Sequence, residues 1–246
     1  MMYLAEARMQ DVVKKQLQFK LKAYRGVFTS LIAVQVLAIL FSLGGIGMSG
    51  GETENFSYEA NYYSGNIVIV LTMLWGFITA VLLTTRAYRF DDFSFVTNRV
   101  SSNVSNIYFL IVSCILAGIT AMLSSFLLKV LVISFVNTDA FVQASVSFPE
   151  YSTGMIGTIL YIILFSALGY LVGMFTQIHK SLIVLLPVLL LSTLILSTGH
   201  PELIQNIIGF FGNENSFLVF ALKTIITAVV LFGASLLVSG RMEVKQ

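Results

Sequence analysis

The chain has 246 residues, of which 57% are apolar and only 11% charged, and its mean hydropathy is +0.90. So little polar surface cannot cover so apolar a core, which excludes a water-soluble globular fold and points to a chain that crosses a membrane several times. The net charge of +2 carries little information as a sum, but its distribution along the chain carries a good deal.

The N-terminal arm, residues 1–25, predicts an amphipathic helix lying in the membrane interface. Ala5, Met9, Val13, Leu17 and Leu21 form one i, i+4 row, widened by Val12, Phe19 and Tyr24. Arg8, Lys14, Lys15, Lys22 and Arg25 fall on the opposite face, and Lys20 alone breaks the pattern. A first span is expected over Val27–Met48, ended by Gly44, Gly45, Gly47, Gly50 and Gly51, which break the helix and begin an external loop. Gln35 inside that span reads as an interhelical hydrogen bond rather than a substrate contact. A second span follows over Asn66–Thr85.

The stretch 86–106 is the most polar in the interior of the sequence. Asp91 or Asp92 can cap a short helix beginning near Phe93, with Arg99 in its last turn where the helix dipole favours a cation. Phe90, Phe93, Phe95 and Val96 give that helix an apolar side, so it reads as a docking element between two spans.

The third span is expected over Ile107–Lys129, and the chain stays apolar to Val136, about 45 Å of helix. Such a length must tilt or project beyond the bilayer. Cys114, Ala117, Gly118, Ala121 and Ser125 line neighbouring helical rows, and Gly169-x-x-x-Gly173 repeats the device in a fourth span over Ile156–Thr176. Small residues let backbones approach, so Gly118, Ala121, Gly169 and Gly173 are expected at helix–helix contacts. A tight turn at 177–181 leads into a fifth span, Leu182–Thr198, which Pro187 should kink. The segment 199–216 is too interrupted to span, yet Leu203, Ile204, Ile207, Ile208, Phe210 and Phe211 are too apolar for an open loop. It predicts a re-entrant or interfacial helix broken at Gly209 and Gly212, before a last span over Phe217–Ser239.

None of the stretches 49–65, 137–155 and 199–216 contains a Lys or Arg, and together they hold seven acids. Twelve of the fourteen bases fall on the other side, which orients the chain with both termini in the cytoplasm. The two exceptions, Lys129 and Lys223, lie within reach of the outer interface and read as anchors there. The lone cysteine, Cys114, excludes an intramolecular disulfide.

No P-loop, HExxH motif or Cys/His cluster occurs, so neither nucleotide binding by a P-loop nor zinc catalysis is expected of this chain. Nucleic-acid binding has no basic groove to support it. Gly47-Met48-Ser49-Gly50 matches the G-x-S-G of rhomboid-type intramembrane proteases, with His200 on the same side. Ser49, however, falls in a glycine-rich helix end and His200 in a separate loop, so the pattern reads as chance.

Two stretches carry a family likeness: Thr85–Ser105, and the run Ser166-Ala167-Leu168-Gly169-Tyr170-Leu171-Val172-Gly173 continuing through His179-Lys180-Ser181 to Pro187. With the interfacial arm, the abrupt four-to-five turn and the broken hairpin before the last span, the chain resembles the membrane subunits of ABC-2 type transporters, which share their fold with the ABCG family. The likeness covers nearly the whole chain as an architecture. It implies an all-α membrane protein: six transmembrane helices, an N-terminal interfacial helix, a cytoplasmic coupling helix and an outer re-entrant hairpin. Residues 1–246 would form one transmembrane domain, with the arm at 1–25 and a six-helix bundle over 27–239.

The resemblance also implies partners and roles. Arg89, Phe90, Asp91, Asp92, Phe93, Val96 and Arg99 would couple to a separate ABC ATPase subunit. Leu203, Ile204, Ile207, Ile208, Phe210 and Phe211 would form an outer gate against a second permease, identical or related, in a bacterial plasma membrane. Membrane lipids surround the pair, and nucleic acid plays no part. ATP and Mg would sit on the ATPase, with no cofactor and no covalent chemistry in this chain. The expected function is export of an amphipathic or lipophilic cargo such as a peptide, a drug or a lipid-like molecule. The alternatives are a motor-free immunity or sensor protein of the membrane and, third, a rhomboid-like intramembrane serine protease.

Overall fold

The structure is a computed structural model that describes residues 9–44, 47–53, 56–62, 65–85, 87–88, 99–135, 147–178, 209–210 and 216–241. Its elements are α1 (Met9–Ala23), α2 (Arg25–Leu43), β1 (Gly47–Thr53), β2 (Phe56–Tyr62), α3 (Asn66–Leu83), α4 (Arg99–Phe135), α5 (Phe148–Ile178) and α6 (Phe217–Arg241). The five helices α2 to α6 are each long and apolar enough to cross a membrane, so the chain is a multi-pass helical membrane protein. The expected fifth span at 182–198, with Pro187, lies outside the described residues.

Three boundaries differ from the sequence expectation. The helix α2 stops at Leu43, where Gly44 caps it by donating to the Phe41 carbonyl, rather than running to Met48. From Gly47 the chain is extended, and β1 pairs antiparallel with β2 from Gly47 opposite Tyr62 to Thr53 opposite Phe56. The expected loop is therefore a hairpin. Glycines with poor helix propensity end the helix, and the alternation Phe56, Tyr58, Ala60, Tyr62 suits a strand.

Next, α4 begins at Arg99, well before Ile107, so residues 99–106 are helix and not part of a polar loop. Arg99 thus stands in the first turn of a long helix, and the short helix expected from Phe93 lies outside the described residues. Ser101, Asn103, Ser105 and Asn106 are all buried, so their polarity marks an interior face rather than solvent. Likewise α5 starts at Phe148 and not at Ile156. Its first turn is held by a capping bond, in which the Ser147 N–H donates to Glu150 Oε2 at 3.0 Å. Pro149 sits in that turn, where a missing N–H costs nothing.

The helices pack closest at small residues. A Cβ on Gly169 of α5 would lie 2.9 Å from Phe77 Cα in α3 and closer still to the Phe77 carbonyl oxygen. One on Gly173 would lie 2.9 Å from Thr84 Cγ2, and one on Gly118 of α4 would lie 3.2 Å from Ile159 Cα. Ala121 is fully buried. Two apolar clusters result. The larger, with Tyr24, Leu31, Leu83, Phe109 and Tyr170, occupies the end of the bundle where α1 packs, called here the arm end. A smaller one, with Ala38, Val68, Leu128 and Val132, lies toward the hairpin end. Between them Gln35 Nε2 donates to Thr120 Oγ1 at 3.0 Å and to the Ala117 carbonyl at 3.3 Å, the interhelical role its position predicts. The side of α6 bearing Leu222, Ile226 and Val230 is exposed, as suits a face that meets lipid.

Candidate functional site

The most organised polar site is buried at the arm end. In α1 the covered positions are Val13, Gln16 and Lys20, continuing to Tyr24, with Leu17 and Leu21 partly buried beside them, so the inner stripe shares the expected apolar row and adds Gln16 and Lys20 to it. Met9, which belongs to that row, is half exposed. The arm is thus docked on the bundle along a stripe with two polar residues at its centre, which corrects the reading of Lys20 as a mere break in the pattern.

Lys20 has no accessible surface. Its ammonium donates to Ser105 Oγ at 2.7 Å, to Asn106 Oδ1 at 2.5 Å and to the Ser102 carbonyl at 3.5 Å. All three acceptors come from the first turns of α4. From there the bonds continue: Asn106 Nδ2 donates to the Tyr170 hydroxyl at 3.5 Å, Tyr170 donates to Asn103 Oδ1 at 3.0 Å, and Asn103 Nδ2 donates to Ser239 Oγ at 2.6 Å. One chain of bonds therefore joins α1, α4, α5 and α6. Hydrogen bonds from a charged donor contribute about 1.5–3 kcal/mol each, and a satisfied buried network favours one arrangement of its helices.

Three further contacts tighten this end. The Tyr24 ring meets Tyr88 edge-on at 4.8 Å and Phe109 at 5.7 Å. Gln177 Nε2 donates to the Thr84 carbonyl, tying the end of α5 to that of α3. Gln16, one helical turn from Lys20, is fully buried, and its amide has no hydrogen-bond partner among the described residues.

Of the expected coupling residues, Arg89, Phe90, Asp91, Asp92, Phe93 and Val96 lie outside the described residues. The residues flanking that segment do not: Tyr88 meets Tyr24 edge-on, and Arg99 begins α4 one turn before Asn103. Of the expected gate, Leu203, Ile204, Ile207, Ile208 and Phe211 are likewise outside, while Phe210 is described. Its ring centroid lies 4.4 Å from Lys223 Nζ and its carbonyl oxygen 3.5 Å from the same atom. Lys129 Nζ lies 5.7 Å from the Phe126 ring, so Lys129 and Lys223 both rest on aromatic faces. Ser49 is in a strand, opposite Ala60, and not at the helix end where the sequence reading put it. His200 lies outside the described residues.

The sequence reading missed Asn103, Ser105, Asn106, Tyr170 and Ser239 as a group. A signal for them existed: a lysine inside an otherwise apolar row needs acceptors, and S-S-N-V-S-N places several on one helical face. No family model, curated protein or solved structure matches this chain.

Proposed function

We propose that the chain is the membrane-spanning permease subunit of an ATP-driven exporter in a bacterial plasma membrane, moving an amphipathic or lipophilic cargo. In this reading both termini are cytoplasmic, and 182–198 supplies a sixth span. The segment 89–98 docks a separate ABC ATPase that holds ATP and Mg, and 201–211 closes the exit against a second permease. The bias of Lys and Arg toward the arm end supports the orientation.

The observation that carries the reading is the anchoring of the two residues that flank 89–98, Tyr88 and Arg99. A docking element moves the spans only if its two ends are stiffly joined to them. Tyr88 is packed against Tyr24, and Arg99 leads directly into the turns of α4 that hold Lys20. Displacement of this segment therefore passes to α1 and α4 at once, and through Tyr170 and Ser239 to α5 and α6. A motor-free membrane protein has no need of so firm a connection at that point.

The test is purification of the tagged chain in mild detergent from its native cells. An ABC-type ATPase should co-purify with it, and Phe93→Asp should abolish the association without changing membrane insertion. A buried Phe anchor is worth about 2 kcal/mol or more at such an interface. Recovery of the same ATPase with Phe93→Asp would place the docking site elsewhere, and recovery of none with the unaltered chain would refute the reading.

A further inference from the structure

At the end of the bundle opposite the arm, α3, α5 and α6 do not close on one another. A cleft of about 540 Å³ opens between them, within the range of roughly 300–1,000 Å³ typical of small-molecule sites. Ile69 and Met73 form its apolar wall and Gly157 its floor, the rings of Tyr161, Phe217 and Phe220 form its rim, and the exposed Gly154 and Glu150 lie at its mouth.

The two lining glycines differ in kind from the packing glycines. A Cβ on Gly169 or Gly118 would collide with another helix, whereas one on Gly154 would meet nothing nearer than Met122 Cε at 3.7 Å. One on Gly157 would meet only the edges of Phe220 and Phe217, at 3.8 and 3.9 Å. Glycine in a helix interior costs about 0.5–1 kcal/mol relative to alanine. At Gly157 close helix approach does not account for that cost, and a side chain there would enter the cleft beside Phe217 and Phe220, whereas Gly154 is exposed at its mouth.

The rim and mouth select the sign of a ligand. The rings of Tyr161 and Phe220 lie 5.0 Å apart at 49°, and those of Phe217 and Phe220 lie 6.1 Å apart at 41°, a cluster of π faces suited to a cation. Among the described residues, Glu150 is the one charged residue in the lining. In the sequence, the stretches 49–65, 137–155 and 199–216 hold seven acids and no Lys or Arg. Lys129 and Lys223 are placed over Phe126 and Phe210 and do not line the cleft.

We propose that this cleft binds a hydrophobic organic cation. The apolar body of the ligand lies against Ile69, Met73 and the glycine floor, and its positive centre lies between the aromatic rim and the Glu150 carboxylate. Binding needs no ATPase, so the inference stands or falls separately from the motor reading.

The test uses the purified full-length chain in dodecyl maltoside, with rhodamine 6G as a fluorescent cation read by anisotropy. Saturable binding is expected, with displacement by tetraphenylphosphonium but not by tetraphenylborate, an anion of the same shape. Glu150→Gln keeps the capping bond to the Ser147 N–H, which glutamine also makes, and removes only the charge. It should weaken binding about two- to fivefold, the weight of one exposed ion pair. Gly157→Leu, which fills the cleft, should weaken it at least as much, and Gly154→Leu is the second variant if the first fails to fold. Absence of saturable binding, equal competition by tetraphenylborate, or unchanged binding by both folded leucine variants would overturn the proposal.

Discussion

Replacing Lys20 by Met tests the arm-end network most directly, because the two side chains are similar in length and opposing effects can be weighed. Removing a buried ammonium relieves its desolvation cost, and buried ionic groups can sometimes be exchanged for apolar ones with a gain in stability. That outcome requires the partners to be replaced too. In Lys20→Met the Asn106 Oδ1 loses its only donor among the described residues, while Ser105 Oγ keeps its own bond to the Ser102 carbonyl at 2.8 Å. One orphaned buried acceptor costs about 1–3 kcal/mol, to which the lost charge-assisted bonds add. Lys20→Met should therefore be destabilised by about 2–3 kcal/mol. For a chain of this length that corresponds to a fall in melting midpoint of very roughly 4–12 °C, at about 2–4 °C per kcal/mol. Trp75 provides the readout, since it is the one tryptophan of the chain, is buried, and donates to Ser30 Oγ at 3.0 Å. The pair Lys20→Met/Asn106→Leu should recover part of the loss, because the orphaned acceptor is gone. A Lys20→Met protein as stable as the original, with no coupling to Asn106, would refute the argument that this network holds the arm to the bundle.

Two further outcomes follow from the packing and the charge pattern. Gly169→Ala should push α3 and α5 apart and cost about 1–3 kcal/mol, seen as a lower melting midpoint. Gly233→Ala in α6, where an added Cβ meets nothing within 4 Å, should gain about 0.5–1 kcal/mol and serves as the control. Single cysteines at Glu54 and Glu214, in a Cys114→Ser background, should react with an impermeant thiol reagent on intact cells. Serine keeps the place of Cys114 beside Ser166 Oγ, 3.4 Å away, and protection of both new cysteines would overturn the orientation.

The spans were legible wherever an apolar run was long and uninterrupted. The second span begins at Asn66 and the last at Phe217 in both sequence and structure, because glycine or polar residues stop the apolar pattern there. The extensions were not legible. Residues 99–106 and 148–155 carry serines, asparagines, a proline and a glutamate, so hydropathy assigns them to loops. Burial of one polar face in α4 and a capping bond in α5 make them helical, and both depend on tertiary partners that hydropathy does not see. The hairpin could have been found in the alternation over 56–62, although its glycine-rich partner strand carries almost no periodic signal. The polar network was hidden for a similar reason. Lys20 looked like an exception on one helix, and it makes sense only once α4 is set beside it.

The length of α4 has a mechanical consequence. Its 37 residues form one helix of about 55 Å, nearly twice the thickness of the hydrocarbon layer, at about 30 Å. Near its middle it is pinned from two sides: Gln35 grips Ala117 and Thr120, and Gly118 lies hard against Ile159. A rod pinned at its middle is a lever with a fulcrum. The limb from Arg99 to Thr120 is about 32 Å long and the limb from Thr120 to Phe135 about 22 Å. A sideways shift of about 3 Å at the arm end would swing the far tip by about 2 Å in the opposite direction, with α1 carried along by Lys20. The same fulcrum that keeps the bundle compact would thus turn an inward push on one side of the membrane into an outward swing on the other.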